Sequence, residues 1–131
     1  MIGRRLRAER GASAVEFALI VPLLLVLVLG IAEFGHAFQV QGTLSAAARE
    51  GVRTMALQND PAAARTTVRT AAAGLDPAIT NAQIAITPAT CPATGGSTNV
   101  RLTITYPMPF LTGFFGATVS LTGRGVMRCN G

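Results

Sequence analysis

Gly11, Ala12, Glu16 and Phe17 form the part of this chain whose residue types and spacing most clearly suit a chemical reaction. A glycine stands before a small residue, and a glutamate with an aromatic neighbour follows just ahead of an uncharged apolar run. Hydrolysis of the peptide bond between Gly11 and Ala12 would create a new positively charged amine on Ala12. Ordinary secretory leaders do not need the acid, so the combination predicts a dedicated processing site ahead of a membrane helix.

The carboxylate of Glu16 is the unusual member of this group, because a charged side chain near lipid is costly and usually has a partner or lies at the interface. One interpretation is that Glu16 of an adjacent subunit neutralises the new amine of Ala12 inside a helix bundle. The other is that Glu16 is an interfacial acid within reach of headgroup water and Arg10. The residues leave both interpretations open.

Cys91 and Cys129 are the two cysteines of the chain, and both lie in the part that we expect to be exported. Thiols can oxidise outside the cytoplasm, and a small core gains most from a covalent crosslink. The favoured prediction is a disulfide, which would stabilise the domain by about 3 to 4.5 kcal/mol in the loop-entropy treatment. Two unpaired thiols are the alternative.

Catalytic and metal-binding groups are scarce in this sequence. The single histidine, His36, follows the apolar run and does not lie among acids or nucleophiles. The exported part has neither a lysine nor a second histidine that could activate a hydroxyl nucleophile. Two cysteines and one histidine also fall short of a structural zinc site. We therefore expect no enzyme activity, no metal and no cofactor.

The charge distribution indicates the partners of the chain. Apolar residues make up 50% of the 131 residues and charged residues 13%, which suits a membrane-anchored protein. Of the net charge of +5, Arg4, Arg5, Arg7 and Arg10 against Glu9 supply +3, and the remainder is spread thinly. A basic cluster before an apolar segment predicts a cytoplasmic N-terminus and contact with anionic lipid. Thinly spread charge without stacking aromatics argues against nucleic-acid binding.

The apolar run over residues 17–32 contains no charge and would form a helix of about 24 Å, slightly short of a hydrocarbon core. Helical spacing continues beyond it, so we expect the membrane helix to extend into an amphipathic stalk. Pro22 inside the helix predicts a bend or a local melting point. The apolar side of the stalk, here called the small-residue stripe, comprises Ala37, Val40, Leu44, Ala47, Ala48, Gly51, Val52 and Met55. This stripe could equally cover the C-terminal domain or contact another subunit.

The rest of the chain predicts a small domain with a helix and strands. Asp60 and Pro61 supply an N-cap and a first-turn proline, and alternating apolar and polar residues predict antiparallel strands. The predicted elements are a helix over 61–73, strands over 83–87, 100–106 and 119–128, a loop over 88–99 and an apolar connector over 107–116. Phe110, Phe114 and Phe115 of the connector could be core, lipid-facing or part of an interface.

Together these elements predict an α+β fold. A long N-terminal transmembrane helix continues into an amphipathic stalk, followed by a second short helix and a small antiparallel β-sheet of about three strands. The predicted division is a basic cytoplasmic leader over 1–11, the membrane helix and stalk over 12–57, and a small extracytoplasmic domain over 58–131.

Three motifs lie in the first half of the chain. The first contains an acid and a proline, and two shorter motifs follow it downstream. They are RGASAVEFALIVP at 10–22, GIAEFG at 30–35 and AAREGVR at 47–53. Together they resemble the TadE-like family, proteins similar to pseudopilins of the tight-adherence, or Flp pilus, secretion apparatus of bacteria and archaea.

The resemblance implies a minor pilus component in the bacterial inner membrane, with a cytoplasmic N-terminus, one transmembrane pass and an extracytoplasmic C-terminal domain. It also implies processing by a prepilin peptidase between Gly11 and Ala12, with Glu16 as the acid needed for processing or assembly. Phe17 stands where related Flp pilins commonly have tyrosine. The implied partners are membrane lipid, other pilin and pilus-assembly proteins, and the peptidase.

A second function is open on the residues alone. Gly30 and Ala32 are small residues at the spacing that ordinary signal peptidase requires ahead of Glu33. Cleavage there would release a small secreted binding domain. The acid at Glu16, within the apolar region, argues against this function.

Overall fold

The computed structural model describes residues 2–93, 97–113 and 116–130, with side chains from residue 7 onward. The elements in chain order are helix α1 Ile2–Gln58, helix α2 Pro61–Ala71, a short 3-10 helix Asn81–Gln83, and strands β1 Ile84–Thr87, β2 Asn99–Pro109 and β3 Thr118–Arg128. The chain divides into two compact units, Met1–Gly35 and His36–Gly131. The fold class is α+β, as the sequence predicted.

The sheet is an antiparallel meander in the order β1-β2-β3. β2 pairs with β3 from Asn99 opposite Arg128 to Pro109 opposite Thr118, whereas β1 pairs only with residues 101–104 of β2. The inward side chains of β2 are Val100, Leu102, Ile104, Tyr106 and Met108, all buried. Because alternate residues of a strand point to opposite faces, this alternation allowed β2 to be located from sequence.

β2 continues past Tyr106 to Pro109, whereas the sequence predicts a connector from residue 107. That prediction is wrong because it treats Pro107 and Pro109 as strand breakers. The pairing with β1 stops at Ile104, so the following residues have an edge without a β1 partner, and proline is tolerated in such an edge. Met108 between the prolines is buried. Of the connector aromatics, Phe110 is half-buried, while Phe114 and Phe115 lie outside the described residues.

α2 begins where its capping residues predicted and ends slightly earlier than expected, at Ala71. The Asp60 carboxylate accepts hydrogen bonds from the backbone N–H groups of Ala62 at 3.0 Å and Ala63 at 3.2 Å. These bonds satisfy two of the donors that a helix start leaves without a partner, and Pro61 has no N–H to satisfy. Asp60 and Pro61 were therefore sufficient to predict where α2 begins.

The small-residue stripe of α1 packs against α2 and the inner face of the sheet. Its members from Val40 to Met55 are buried, and Ala37 is half-buried. A Cβ added to Gly51 would collide with Val68 of α2 and lie 2.8 Å from Leu102 of β2. The contact that the sequence left open is thus made by the chain's own C-terminal domain.

Candidate processing and membrane-assembly site

The four residues of the candidate processing site lie in successive turns of α1. Gly11, Ala12, Glu16 and Phe17 are all helical and all exposed, with Phe17 70% exposed. Ala12 and Glu16 are four residues apart, so they share one face of the helix and are separated by about 6 Å along its axis. Since helical side chains lean toward the N-terminus, the Glu16 carboxylate leans toward the turn that contains Ala12.

Gly11 has no packing reason to be a glycine in the described structure. A Cβ built at this position would meet nothing within 4 Å. Glycine in a helix interior is about 0.8–1.0 kcal/mol less favourable than alanine, so Gly11 weakens α1 locally.

A long apolar surface follows the processing site along the same helix. We call it the exposed apolar run; its large side chains range from 48% exposed at Leu29 to 74% exposed at Leu19. Its members are Val15, Phe17, Leu19, Ile20, Leu23, Leu24, Leu25, Val26, Leu27, Val28, Leu29 and Ile31. Burying one such side chain away from water is worth about 1.5–3 kcal/mol, so this surface strongly favours lipid or other helices over water.

α1 is long and apolar enough to cross a membrane, and it is the one helix among the described residues that meets this criterion. The helix passes through Pro22 without interruption, although proline removes one backbone donor there. The bend or local melting point expected at Pro22 stays a prediction.

Comparison with known families matches one segment of the chain. Residues 11–53 match the family model of TadE-like proteins. This TadE-like segment begins at the glycine of the candidate processing site and ends within the helix that carries the small-residue stripe. The match confirms the resemblance that the sequence motifs indicated. Residues 54–131 lie outside the match, and comparisons with curated proteins and with solved structures found no significant similarity.

Beyond the TadE-like segment, Cys91 and Cys129 are joined by a disulfide, with their Cα atoms 5.7 Å apart and a sequence separation of 38. Both residues are buried, each 5% exposed. The bond connects the loop before β2 to the end of β3. It therefore closes a chain loop that contains the whole of β2 and β3.

Asn59 holds the Cys91 loop against the end of α1, a role that the sequence analysis missed. Its side-chain oxygen accepts a hydrogen bond from the Cys91 N–H at 2.6 Å, and its side-chain nitrogen donates to the Cys91 carbonyl at 3.3 Å. The φ of Asn59 is 50°, in the left-handed region where asparagine is enriched. An asparagine just after a helix signals the helix end, but no local signal could have named Cys91 as its partner.

The end of the chain makes a second connection to α1. The backbone N–H of Asn130 donates to the Ala56 carbonyl at 3.3 Å, and its side chain donates to the Pro92 carbonyl at 2.8 Å. The Cys129 N–H donates to the Thr98 carbonyl at 2.9 Å. Of these three bonds, the one from Asn130 to Ala56 connects the residue after Cys129 to the last turn of α1.

Tyr106 is a buried residue of this domain whose pKa differs from its usual value. Its hydroxyl donates to the Pro77 carbonyl at 2.8 Å, and it is 1% exposed. Burial, and to a lesser extent the negative charge of Asp76, raise the pKa of Tyr106 above its usual value. The phenol therefore stays neutral and acts as a structural donor.

Metal binding finds no support in the described ranges. Over residues 2–93, 97–113 and 116–130, no group of three or more His, Cys, Asp or Glu side chains could hold a metal ion. His36 instead lines a groove together with Asp76 and Tyr106.

Proposed function

We propose that this chain is a minor pilin-like structural component of a tight-adherence, or Flp-type, pilus or secretion apparatus. It is anchored by one N-terminal transmembrane helix, assembles through helix packing and has no catalytic activity of its own. The observation that carries the proposal is the match of residues 11–53 to TadE-like proteins. That segment includes the candidate processing site, the exposed apolar run and most of the small-residue stripe.

The exposed apolar run supports the anchor. Its side chains are uncovered in the described structure, and a bilayer or neighbouring membrane helices would remove them from water. Arg7 and Arg10 precede the run, and positive charge ahead of a membrane segment favours a cytoplasmic N-terminus. The chain then crosses the bacterial inner membrane once and places its C-terminal domain outside.

The disulfide supports the same orientation. Disulfides persist in extracytoplasmic compartments and are rare in the reducing cytoplasm. A crosslink between Cys91 and Cys129 therefore favours an extracytoplasmic location for the sheet.

The geometry of Ala12 and Glu16 supports cleavage by a prepilin peptidase after Gly11. Cleavage turns Ala12 into a chain terminus with a positive charge, one turn before the Glu16 carboxylate on the same helix face. Two such helices packed side by side with an axial offset of about 6 Å would place the amine of one beside Glu16 of the next. Attraction between opposite charges is stronger in an apolar surrounding than in water, so the pair would favour this offset. Other pilin subunits, lipid and the peptidase are the proposed partners, and nucleic acid is not among them.

Mass determination of the mature N-terminus tests the proposal. Membranes, periplasm and culture medium are collected from the native host, whose cells supply the peptidase, and the chain found in each fraction is analysed intact. A mature chain that begins at Ala12 supports pilin-type processing. A chain that begins at Met1 contradicts processing, and one that begins at Glu33 supports release by ordinary signal peptidase.

Release is the second candidate function, because one structural observation favours it. The compact unit His36–Gly131 contains the stripe, α2, the sheet and the disulfide. Cleavage after Ala32 would therefore leave this unit with its complete core as a small secreted binding domain. The residue found at the mature N-terminus, Glu33 or Ala12, separates the two functions.

A further inference from the structure

The outward face of the sheet carries three arginines and no acidic residue. We call the part of this face around the arginines the arginine face; it comprises the solvent-directed residues Ala85, Thr87, Asn99, Arg101, Thr103, Thr105, Thr122, Arg124, Val126 and Arg128. All Asp and Glu residues of the chain precede residue 77. The strands therefore contribute positive charge only, and the alternation of β2 and β3 directs all of it to one side.

The strand register brings these charges together. Arg101 is opposite Val126, while Arg124 and Arg128 are opposite the residues two positions to either side of Arg101 on β2. With strands about 4.8 Å apart and alternate residues about 6.7 Å apart along a strand, each neighbouring pair of arginines has a backbone separation of about 8 Å. The charge that the sequence analysis described as spread thinly is, over the sheet, a zigzag row of three cations.

A shallow hollow lies beside the central arginine of this row. It is lined by Thr87, Pro88, Asn99, Arg101 and Val126. The hollow therefore contains one cation, a hydroxyl, an amide and two apolar side chains. One of the apolar side chains, Val126, is 55% exposed. A flat ligand that carries a carboxylate, hydroxyl groups and an apolar side would satisfy each of these groups.

We propose that the arginine face binds an acidic polysaccharide, with a uronate-type sugar ring in the hollow beside Arg101 and further carboxylates at Arg124 and Arg128. The guanidinium fork matches a carboxylate with two parallel hydrogen bonds. The threonine hydroxyls and Asn99 between the arginines exchange hydrogen bonds with sugar hydroxyls, and the apolar side of a ring packs on Val126.

The composition of the face favours this polymer over two other polyanions. Single-stranded nucleic acid is usually held by aromatic side chains on which bases stack, and no aromatic residue is on the arginine face. A membrane surface is usually bound with large apolar side chains inserted beside the basic ones, whereas Val126 is the largest apolar residue of the face.

The test measures binding of the purified full chain, in a neutral detergent, to alginate as the polyuronate probe. Dextran is the neutral polysaccharide control. We expect the wild-type chain to bind alginate and not dextran, with affinity that falls as salt is raised. The triple variant R101Q/R124Q/R128Q is expected to bind alginate at least about tenfold more weakly, since each lost cation removes a charge-assisted contact.

A matched variant, R49Q/R53Q/R69Q, removes the same charge from exposed helical positions and is expected to change the affinity by less than about twofold. An equal loss in both variants would show that net charge alone is responsible and would overturn the proposal. So would unchanged binding by the face variant, or tighter binding to oligothymidylate than to alginate. A larger loss of binding to phosphatidylglycerol vesicles than to alginate in the face variant, relative to the wild type, would also overturn it. If the triple variant melts early, the single substitutions R101Q and R124Q repeat the comparison.

Discussion

Gly123 of β3 lies directly against the backbone carbonyl of Leu44 in α1. A Cβ on Gly123 would be 2.6 Å from that oxygen, and one on Gly125 would be 2.6 Å from the carbonyl oxygen of Ala48. Leu44 and Ala48 are about 6 Å apart along the helix, and Gly123 and Gly125 are about 6.7 Å apart along the strand. Because these spacings nearly match, both glycines can contact α1 in the same way. These two glycines therefore allow the backbone of α1 to approach the backbone of β3 closely. Beside this contact, the Gln41 side chain donates a 2.8 Å hydrogen bond to the Thr122 carbonyl.

The first prediction concerns this contact. Gly125→Ala should lower the free energy of unfolding by about 1–3 kcal/mol, because the added methyl group forces α1 and β3 apart. Chemical denaturation of the purified chain measures the change. Gly74→Ala is the matched control, since a Cβ there meets nothing within 4 Å. Equal midpoints for Gly125→Ala and the wild type would show that the contact has no energetic role.

The second prediction concerns the disulfide. Replacement of both Cys91 and Cys129 by alanine should lower the free energy of unfolding by about 3 to 4.5 kcal/mol, because the unfolded chain regains the entropy of an open loop. Intact mass analysis after alkylation without reductant should show no modified thiol in the wild type. Two alkylated thiols under those conditions would reject the crosslink.

The third prediction separates the two properties of Asn59. Asn59→Gly keeps the left-handed backbone but loses both hydrogen bonds to Cys91, and should lower stability by about 1–3 kcal/mol. Asn59→Ala loses the same bonds and is also strained at φ 50°, so it should be less stable than the glycine variant. Thermal melts of the two variants give the order, and the reverse order would contradict a backbone contribution.

The fourth prediction concerns the pH dependence of stability through Tyr106. Its pKa in the folded state is raised by burial and by Asp76, so the folded chain holds this proton more tightly than the unfolded chain does. The stability due to Tyr106 is complete below the unfolded pKa of about 10 and is lost as pH rises through the folded pKa. Denaturation midpoints measured across this range should fall more steeply for the wild type than for Tyr106→Phe.

The same titration can be observed directly. The chain has one tyrosine and no tryptophan, so the ultraviolet absorbance of phenolate reports on Tyr106 alone. An absorbance midpoint at or below that of the unfolded chain would contradict the raised pKa.

The fifth prediction concerns Glu16. In cells of the native host, Glu16→Gln should reduce processing or assembly while the chain still fractionates with membranes, because the substitution removes the charge and keeps the apolar run intact. Glu9→Gln is the control, since it removes a carboxylate from the leader side of Gly11. Normal processing and assembly in the Glu16 variant would remove the proposed role of this residue.

Local sequence patterns were sufficient to predict an element where its residues' environment depends only on that helix or strand. The apolar residues of β2 alternate with polar ones, and Asp60 with Pro61 starts a helix wherever the helix packs. The end of β2 was misplaced because the effect of Pro107 and Pro109 depends on how far β1 extends alongside, which is a property of the sheet and not of the strand.

The sequence by itself determined that the chain carries a charge-free apolar run over residues 17–32 preceded by a Gly-Ala bond and an acid, since these features are contiguous. Only the tertiary structure decided that the small-residue stripe packs on the chain's own sheet, that Asn59 holds Cys91, and that Arg101, Arg124 and Arg128 form one row. Those relationships join residues far apart in sequence. They depend on strand register and on the close approach at Gly123 and Gly125, and contacts of that kind leave no periodicity in the chain.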